Sequence, residues 1–527
     1  ENGLYWLKGV APYFTDHPGT PLEVLFLGLA VLFNIGRTPA GMIDAVLLRP
    51  EFYLGAAYVL LMALFFASLV FVGLYTFQKT KSRSMALLTQ LPAFFYLTVK
   101  VYSSSQVVVP IIANINAEPL LISVINVFTV LVIKLFFARD DNEERWSALA
   151  LAVVCGLALS VKFTFGTLWF IPLLLLSNRH RWMFLGGALA SFAFWTIPIW
   201  PRYGDMGHWL LGLVTRTGFH SSGKVGLVDP GIYFPALGRI IREHAVYFSV
   251  TLVLAVTSLM AVYWKRFQDR AWRFLLVISS VAVMHFFVVA RQPGLHYMTP
   301  AMGLGGLLFF FAFLSWPVKA GRRHRVALLF VLTIAVVATV QAVQYCQMDA
   351  RFTREVMAFH ERTHKEFAAC QIIPYYRATG QEYALHFGDN IYNTRLLGDD
   401  LNRLYPGRFF FQEWNYQVNH FSKVVRISQV AQINPCVLFQ GPPYDFSIGP
   451  YEVEKIADGP GENLYRLKGS VEDDAIRFYL MAQILENQNR FPEAYLIALR
   501  SRSLKFQPSV LLDDLIDRLR QKLQLGN

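Results

Sequence analysis

Residues 53–78 read YLGAAYVLLMALFFASLVFVGLYTFQ, with no charged position, and Lys79, Lys81 and Arg83 follow at once. As a helix this stretch would rise about 39 Å, enough to cross a hydrocarbon layer roughly 30 Å thick. The cations after it are what a membrane helix carries where it leaves the bilayer on the cytoplasmic side. Nine further apolar stretches extend the pattern: 84–104, 119–138, 146–161, 163–177, 182–200, 246–264, 272–290, 297–315 and 326–345. Another, 22–36, lies between Pro21 and Arg37 and reads as a helix in the interface as readily as a span.

The composition agrees. Of 527 residues, 54% are hydrophobic and 16% charged, well below the roughly 25% charge of an average soluble domain. The mean hydropathy is +0.38. A disordered chain, a collagen and a disulfide scaffold are excluded, and an ordinary soluble enzyme does not fit. The net charge of +12 in a chain of this kind reflects basic cytoplasmic loops, not nucleic acid, and no nucleic-acid partner is expected.

Basic residues fall on alternate loops: Lys79, Lys81 and Arg83; Arg139 and Arg145; Arg179 and Arg181; Lys265, Arg266 and Arg270; Lys319, Arg322, Arg323 and Arg325. The positive-inside rule places these in the cytoplasm and the loops 1–52, 105–118, 201–245 and 291–296 outside, with everything after 345. A segment starting outside at residue 1 implies a further span, or a signal anchor, before it.

Four segments follow: 1–52, a first extracytoplasmic loop with interfacial helices; 53–345, a bundle of ten spans; 346–470, an extracytoplasmic α/β domain; and 471–527, C-terminal helices. The α/β assignment rests on β-like runs at 424–427, 436–439 and 463–467 and on turns such as Gly441-Pro442-Pro443. Leu485, Phe491, Ala494, Ala498 and Pro508 fit a single helical-hairpin repeat, below the three or so that a solenoid needs. In an oxidising compartment Cys370 and Cys436 can pair, while Cys155 in a span reads as packing.

Charges beside a bilayer are costly and mark function. The outer rim holds Glu1, Asp16 and His17; Asn114, Asn116 and Glu118 before Pro119; Lys162 between two apolar runs; and Arg291, His296 and Tyr297. Each has an ordinary role open to it: Asp16 or Glu118 as a helix cap, Lys162 reaching for headgroups, Arg291 as an interfacial anchor. Together on one face, the carboxylates suit a base or a divalent metal, and the cations suit a lipid phosphate.

The first loop carries a recognisable pattern. Glu1-Asn2-Gly3-Leu4-Tyr5-Trp6, followed by Asp16-His17-Pro18, resembles the first loop of the GT-C glycosyltransferases, in the branch of protein O-mannosyltransferases and lipid A aminoarabinose transferases. Asn116-Ala117-Glu118-Pro119-Leu120 is similar to that family's second-loop motif, Gly156 through Phe163 to its glycine-rich run ending in Lys-Tyr, and His296-Tyr297-Met298-Thr299-Pro300 to the opening of a late span. Glu1 stands where the family has Asp, and Asp-His-Pro-Gly-Thr-Pro-Leu replaces Asp-His-Pro-Pro-Leu. The likeness covers about 1–345.

The resemblance implies an α-helical polytopic membrane protein with a GT-C-like bundle, and a transferase of the bacterial inner membrane whose C-terminal domain is periplasmic. The donor would be a polyprenyl-phosphate-linked sugar, the acceptor a lipid, glycan or protein, and the displacement inverting. Glu1 and Asp16 would be catalytic, Glu1 as base. Asp16 and Glu118 would hold a divalent metal ion, Mg or Mn, with Asn116 nearby. His17, Lys162, Arg291, His296 and Tyr297 would bind the donor phosphate. The loop 201–245, with Arg202, Arg216, Lys224, Arg239 and Arg242, would be a mobile cover. Two other functions stay open: a carrier of lipid-linked sugars, which needs polar groups near the midplane, and a non-catalytic assembly partner whose C-terminal domain binds an envelope protein.

Overall fold

In the computed structural model the opening stretch lies in one 31-residue helix, Pro50–Thr80. The structure describes residues 2–13, 15, 19–98, 100–102, 108–110, 116–217, 224–263, 269–291, 294–316, 320–375, 381–390, 396–412, 417–421, 423–434, 436–442, 453–467, 473–503 and 510–525. The chain divides into two units, one of Asn2–Val101 and Val108–Cys346, the other built on Gln347–Asn527.

Among the described residues six helices are long and apolar enough to cross a membrane, or eight if each of two sharply bent pairs makes one span. The six are Pro50–Thr80, Ala117–Phe136, Asp141–Val161, Arg270–Val289, His296–Ser315 and His324–Glu366; the pairs are Asn178–Trp195 with Ile197–Thr215 and Pro230–Glu243 with Ala245–Ala261. Of the ten spans read from the sequence, two are corrected, and two more, 182–200 and 246–264, fall on the bent pairs. The stretch 84–104 is not one helix. It breaks between Arg83–Thr89 and Pro92–Thr98 and turns to a short strand, Lys100–Tyr102, because Pro92 lacks the amide hydrogen a continuous helix needs there. The stretch 163–177 is a shorter apolar helix, Phe163–Leu175, whose first seven residues wind as a 3-10 helix.

The expected outer loop 201–245 is also largely helical, as Tyr203–Thr215 and Pro230–Glu243. The stretch 22–36 falls on an apolar helix, Thr20–Phe33, shorter than the candidate spans. Ala117–Phe136 and His296–Ser315 are the most buried of the candidate spans, and they form the centre of the bundle. Leu121, Ile125, Phe128, Phe165, Leu307 and Phe311 are fully enclosed in its core.

The helix Ala320–Glu366 has 47 residues. At 1.5 Å per residue it is roughly 70 Å long, about twice the apolar layer, so only its apolar half can lie within a bilayer.

The second unit is mixed α/β. Gln371–Pro374 pairs parallel with Val437–Gly441, which continues antiparallel through Glu462–Leu467 to Val453–Gly459. A separate antiparallel sheet joins Phe410–Gln412, Gln417–His420 and Lys423–Val425. Two of the expected β runs, 436–439 and 463–467, thus fall on strands; 424–427 is part strand and then opens the Ile427–Ile433 helix. Gly459 and Gly461 lie under the rings of Phe359 and Phe352, where a Cβ would collide, and His360 Nε2 meets the buried Glu462 carboxylate at 2.6 Å. Three amphipathic helices close the chain, Asp473–Asn487, Phe491–Ser503 and Val510–Leu525, and share a core of Tyr479, Leu485, Ala494, Ala498, Leu515 and Leu519. A disulfide joins Cys370 to Cys436, a bond of the kind that persists in oxidising compartments.

Candidate functional site

The site is built where helices of the first unit end. Asn116 caps the Ala117–Phe136 helix, its Oδ1 accepting from the Glu118 amide at 3.1 Å. Glu118 therefore sits in a first turn, where backbone amides favour an anion. Lys162 is the C-cap of Asp141–Val161, where carbonyls favour a cation. The two side chains meet as an ion pair, Lys162 4% and Glu118 2% exposed. Such a pair is stable only while both members are present: losing one strands a charge in a low-dielectric interior.

Tyr297 approaches from a third segment. It lies in the turn Leu295–Met298, and its ring faces Lys162 Nζ at 4.9 Å, so the ammonium is held by a carboxylate and by an aromatic quadrupole. His296 leans on that ring, centroids 4.1 Å apart.

Beside this trio is a cavity of about 220 Å³. Phe163, Trp209, Leu213 and Val288 give it apolar walls, and Thr164, His285, Arg291 and Tyr297 give it a polar side. The Phe163 and Trp209 rings stack at 6.1 Å. Arg291 reaches in from the end of Arg270–Val289. One of its nitrogens, Nη2, donates to the carbonyls of Val214 at 2.6 Å and Arg216 at 3.3 Å, capping the C-terminus of Tyr203–Thr215. Its Nε is buried without a hydrogen-bond partner, and so is Thr164 Oγ1. Buried donors are rarely left this way; here two of them line one cavity.

Of the residues singled out in the sequence, Glu118, Lys162 and Tyr297 come together, and Arg291 joins Tyr297 on the cavity wall. His296 supports Tyr297, and Asn116 serves as a cap. Glu1, Asp16, His17 and Asn114 lie outside the described residues. The Tyr203–Thr215 helix, from the segment expected as a cover, contributes Trp209, Leu213 and Val214 to the walls. From the same segment, Arg202 stacks on the Tyr13 ring at 3.7 Å.

The sequence reading missed three groups. His285 and Thr164 line the cavity, and His285 is an ionisable residue within an apolar stretch, the same signal that drew attention to Lys162. Glu23 is the third. It interrupts the apolar 22–36 run, its Oε1 accepts from Asn2 Nδ2 at 2.9 Å, and its Oε2 is buried without a partner. Burial pushes its carboxyl up to about 7.

The resemblance implies a divalent ion held by Asp16 and Glu118. Asp16 lies outside the described residues, and Glu118 holds Lys162. No step is derived through an ion.

No family model, no curated protein and no solved structure matches this chain.

Proposed function

We propose that the protein is a GT-C-like glycosyltransferase that moves a sugar from a polyprenyl-phosphate donor to an acceptor at the extracytoplasmic face of a bacterial inner membrane. One observation carries the reading: Lys162 and, from a distant segment, Arg291 and Tyr297 converge beside one largely apolar cavity. That pairing of an oily wall with an incompletely bonded guanidinium suits an amphiphile with an anionic head.

In the displacement, the acceptor oxygen forms a bond to the anomeric carbon. The carbon–oxygen bond to phosphate breaks, and its electron pair stays on the lipid phosphate. The acceptor proton passes to a carboxylate, which the sequence resemblance assigns to Glu1. Arg291 would bind the phosphate through the donor it has free, lowering the barrier as negative charge grows on the leaving oxygen. Lys162 adds field at short range, and Glu118 fixes where that charge sits. The cavity keeps water from the anomeric carbon.

The test uses full-length protein in lipid nanodiscs with radiolabelled undecaprenyl phosphate, and then polyprenyl-phosphate [¹⁴C]hexose with solubilised membrane extract as acceptor source. Saturable binding and hexose transfer are expected. Arg291→Ala should weaken binding tenfold or more, in line with the roughly 1.5–3 kcal/mol of a charged hydrogen bond. Wild-type binding no better than in empty nanodiscs, or an Arg291→Ala protein that binds equally well, sinks the reading. Binding without transfer would leave a carrier or an assembly partner.

A further inference from the structure

His285 is fully buried in the last turns of Arg270–Val289, and both of its nitrogens are spoken for. Nε2 lies 2.8 Å from the Tyr297 carbonyl oxygen. A carbonyl can only accept, so Nε2 carries the hydrogen. In the neutral ring Nδ1 then holds a lone pair, and the Thr167 hydroxyl donates to it across 2.6 Å. The tautomer follows from the partners.

These bonds join two segments. Thr167 belongs to the 3-10 helix Phe163–Trp169, which starts at the residue after Lys162. Tyr297 belongs to the turn whose ring faces the Lys162 ammonium. We propose that His285 is a positioning residue: one imidazole clamps the turn after Lys162 to the turn bearing Tyr297, and so holds the ring against the ammonium at the edge of the cavity.

A packing role alone does not account for the residue. Phe would fill a similar volume in this apolar span, yet it would take the imidazole donor from the Tyr297 carbonyl and leave the Thr167 hydroxyl only the longer bond to the Thr164 carbonyl at 3.4 Å in a water-poor interior. The turn is braced on its far side as well. Thr299 Oγ1 donates to the His296 carbonyl at 2.7 Å, and Tyr96 Oη donates to the Thr299 carbonyl at 3.2 Å. The carbonyl that His285 takes is that of the residue in contact with Lys162.

The proposal rests on the glycosyl-transfer reading only for its ligand readout. The test compares wild type, His285→Gln, His285→Asn and His285→Phe as full-length protein in nanodiscs. Gln can place an amide N–H where the ring has Nε2–H, whereas Asn falls short of the Tyr297 carbonyl. The first readout needs no ligand: the rate at which acetic anhydride acetylates Lys162, followed by mass spectrometry with Lys134 as internal reference. Gln should stay within twofold of wild type, and Asn and Phe should react at least fivefold faster.

The second readout is affinity for undecaprenyl phosphate, within threefold of wild type for Gln and at least tenfold weaker for Asn and Phe. Unchanged Lys162 protection in Asn and Phe overturns the clamp. So does a Gln protein as damaged as the Phe protein, or lost protection with undiminished affinity. If protection is lost as expected while wild type binds no undecaprenyl phosphate, the clamp stands and the glycosyl-transfer reading falls.

Discussion

Glu23 shows how one enclosed oxygen can govern a local equilibrium. It lies in the first turn of Thr20–Phe33, where helix amides favour an ionised carboxylate, yet burial outweighs them and lifts its carboxyl to about 7. The folded chain therefore keeps a proton there that the unfolded chain has released. Between the ordinary carboxylate range and pH 7 the unfolded state binds fewer protons, so this residue's contribution to stability is full at low pH and declines as pH rises. Glu23→Gln carries no such charge. Its thermal midpoint should match wild type near pH 5 and exceed it by a growing margin up to pH 7.5; a margin independent of pH would refute the account. The residues legible in the sequence, Glu118 and Lys162, stood out because charge beside an apolar run is conspicuous. That they pair depends on helix ends 44 residues apart in the chain, and that Tyr297 faces the lysine depends on a turn much farther along. Glu23 and His285 carried the same signal more faintly, each an ionisable residue inside a stretch counted as apolar.

At the scale of elements, apolar length was readable and the places where helices break were not. The runs 119–138 and 272–290 became single helices, whereas 297–315, with Pro300 and three glycines, winds from the 3-10 turn Leu295–Met298 into Thr299–Gly303 and Gly305–Ser315. The run 182–200 bends by 83° after Trp195, where Pro198 and Pro201 withhold backbone donors and Thr196 Oγ1 turns back to the Phe192 carbonyl at 2.7 Å. Close approach between helices was similarly hidden. Gly156 in Asp141–Val161 faces Asn178–Trp195 so tightly that a Cβ would stand 2.5 Å from the Ala188 carbonyl oxygen and 2.6 Å from the Phe192 amide. Those are backbone atoms and cannot step aside as a flexible side chain would. Small residues at helix crossings serve this purpose in membranes. Gly156→Ala is expected to lower stability by about 1–3 kcal/mol, the usual range for overpacking, while Gly186→Ala, which meets nothing within 4 Å, should have a far smaller effect. Denaturant titration of both in detergent checks this; equal losses would mean the approach does not limit packing.

For the whole molecule, the sidedness of the chain can be argued from parity. Arg179 stands at the start of Asn178–Trp195, in a loop that its charge assigns to the cytoplasm. From there to the second unit, the described helices offer three unbroken candidate spans, Arg270–Val289, His296–Ser315 and His324–Glu366, and two bent pairs. If both pairs cross, the chain traverses the membrane five times; if neither crosses, three times. Either count is odd and is expected to bring the second unit out opposite Arg179, on the side where the Cys370–Cys436 disulfide can persist; only an even count, with one pair crossing and the other not, would bring it out on the same side. Two single-cysteine probes decide it in a Cys346→Ser background, which removes the exposed free thiol and leaves the buried Cys155. Arg179→Cys and Glu454→Cys both occupy exposed positions. With an impermeant maleimide on sealed vesicles of the two orientations, each should be labelled in one orientation only, and in opposite ones. Labelling of both from the same side would require an even count. One bent pair would then have to cross while the other turns back, and the lipid-facing surface of the bundle would have to be redrawn around that pair.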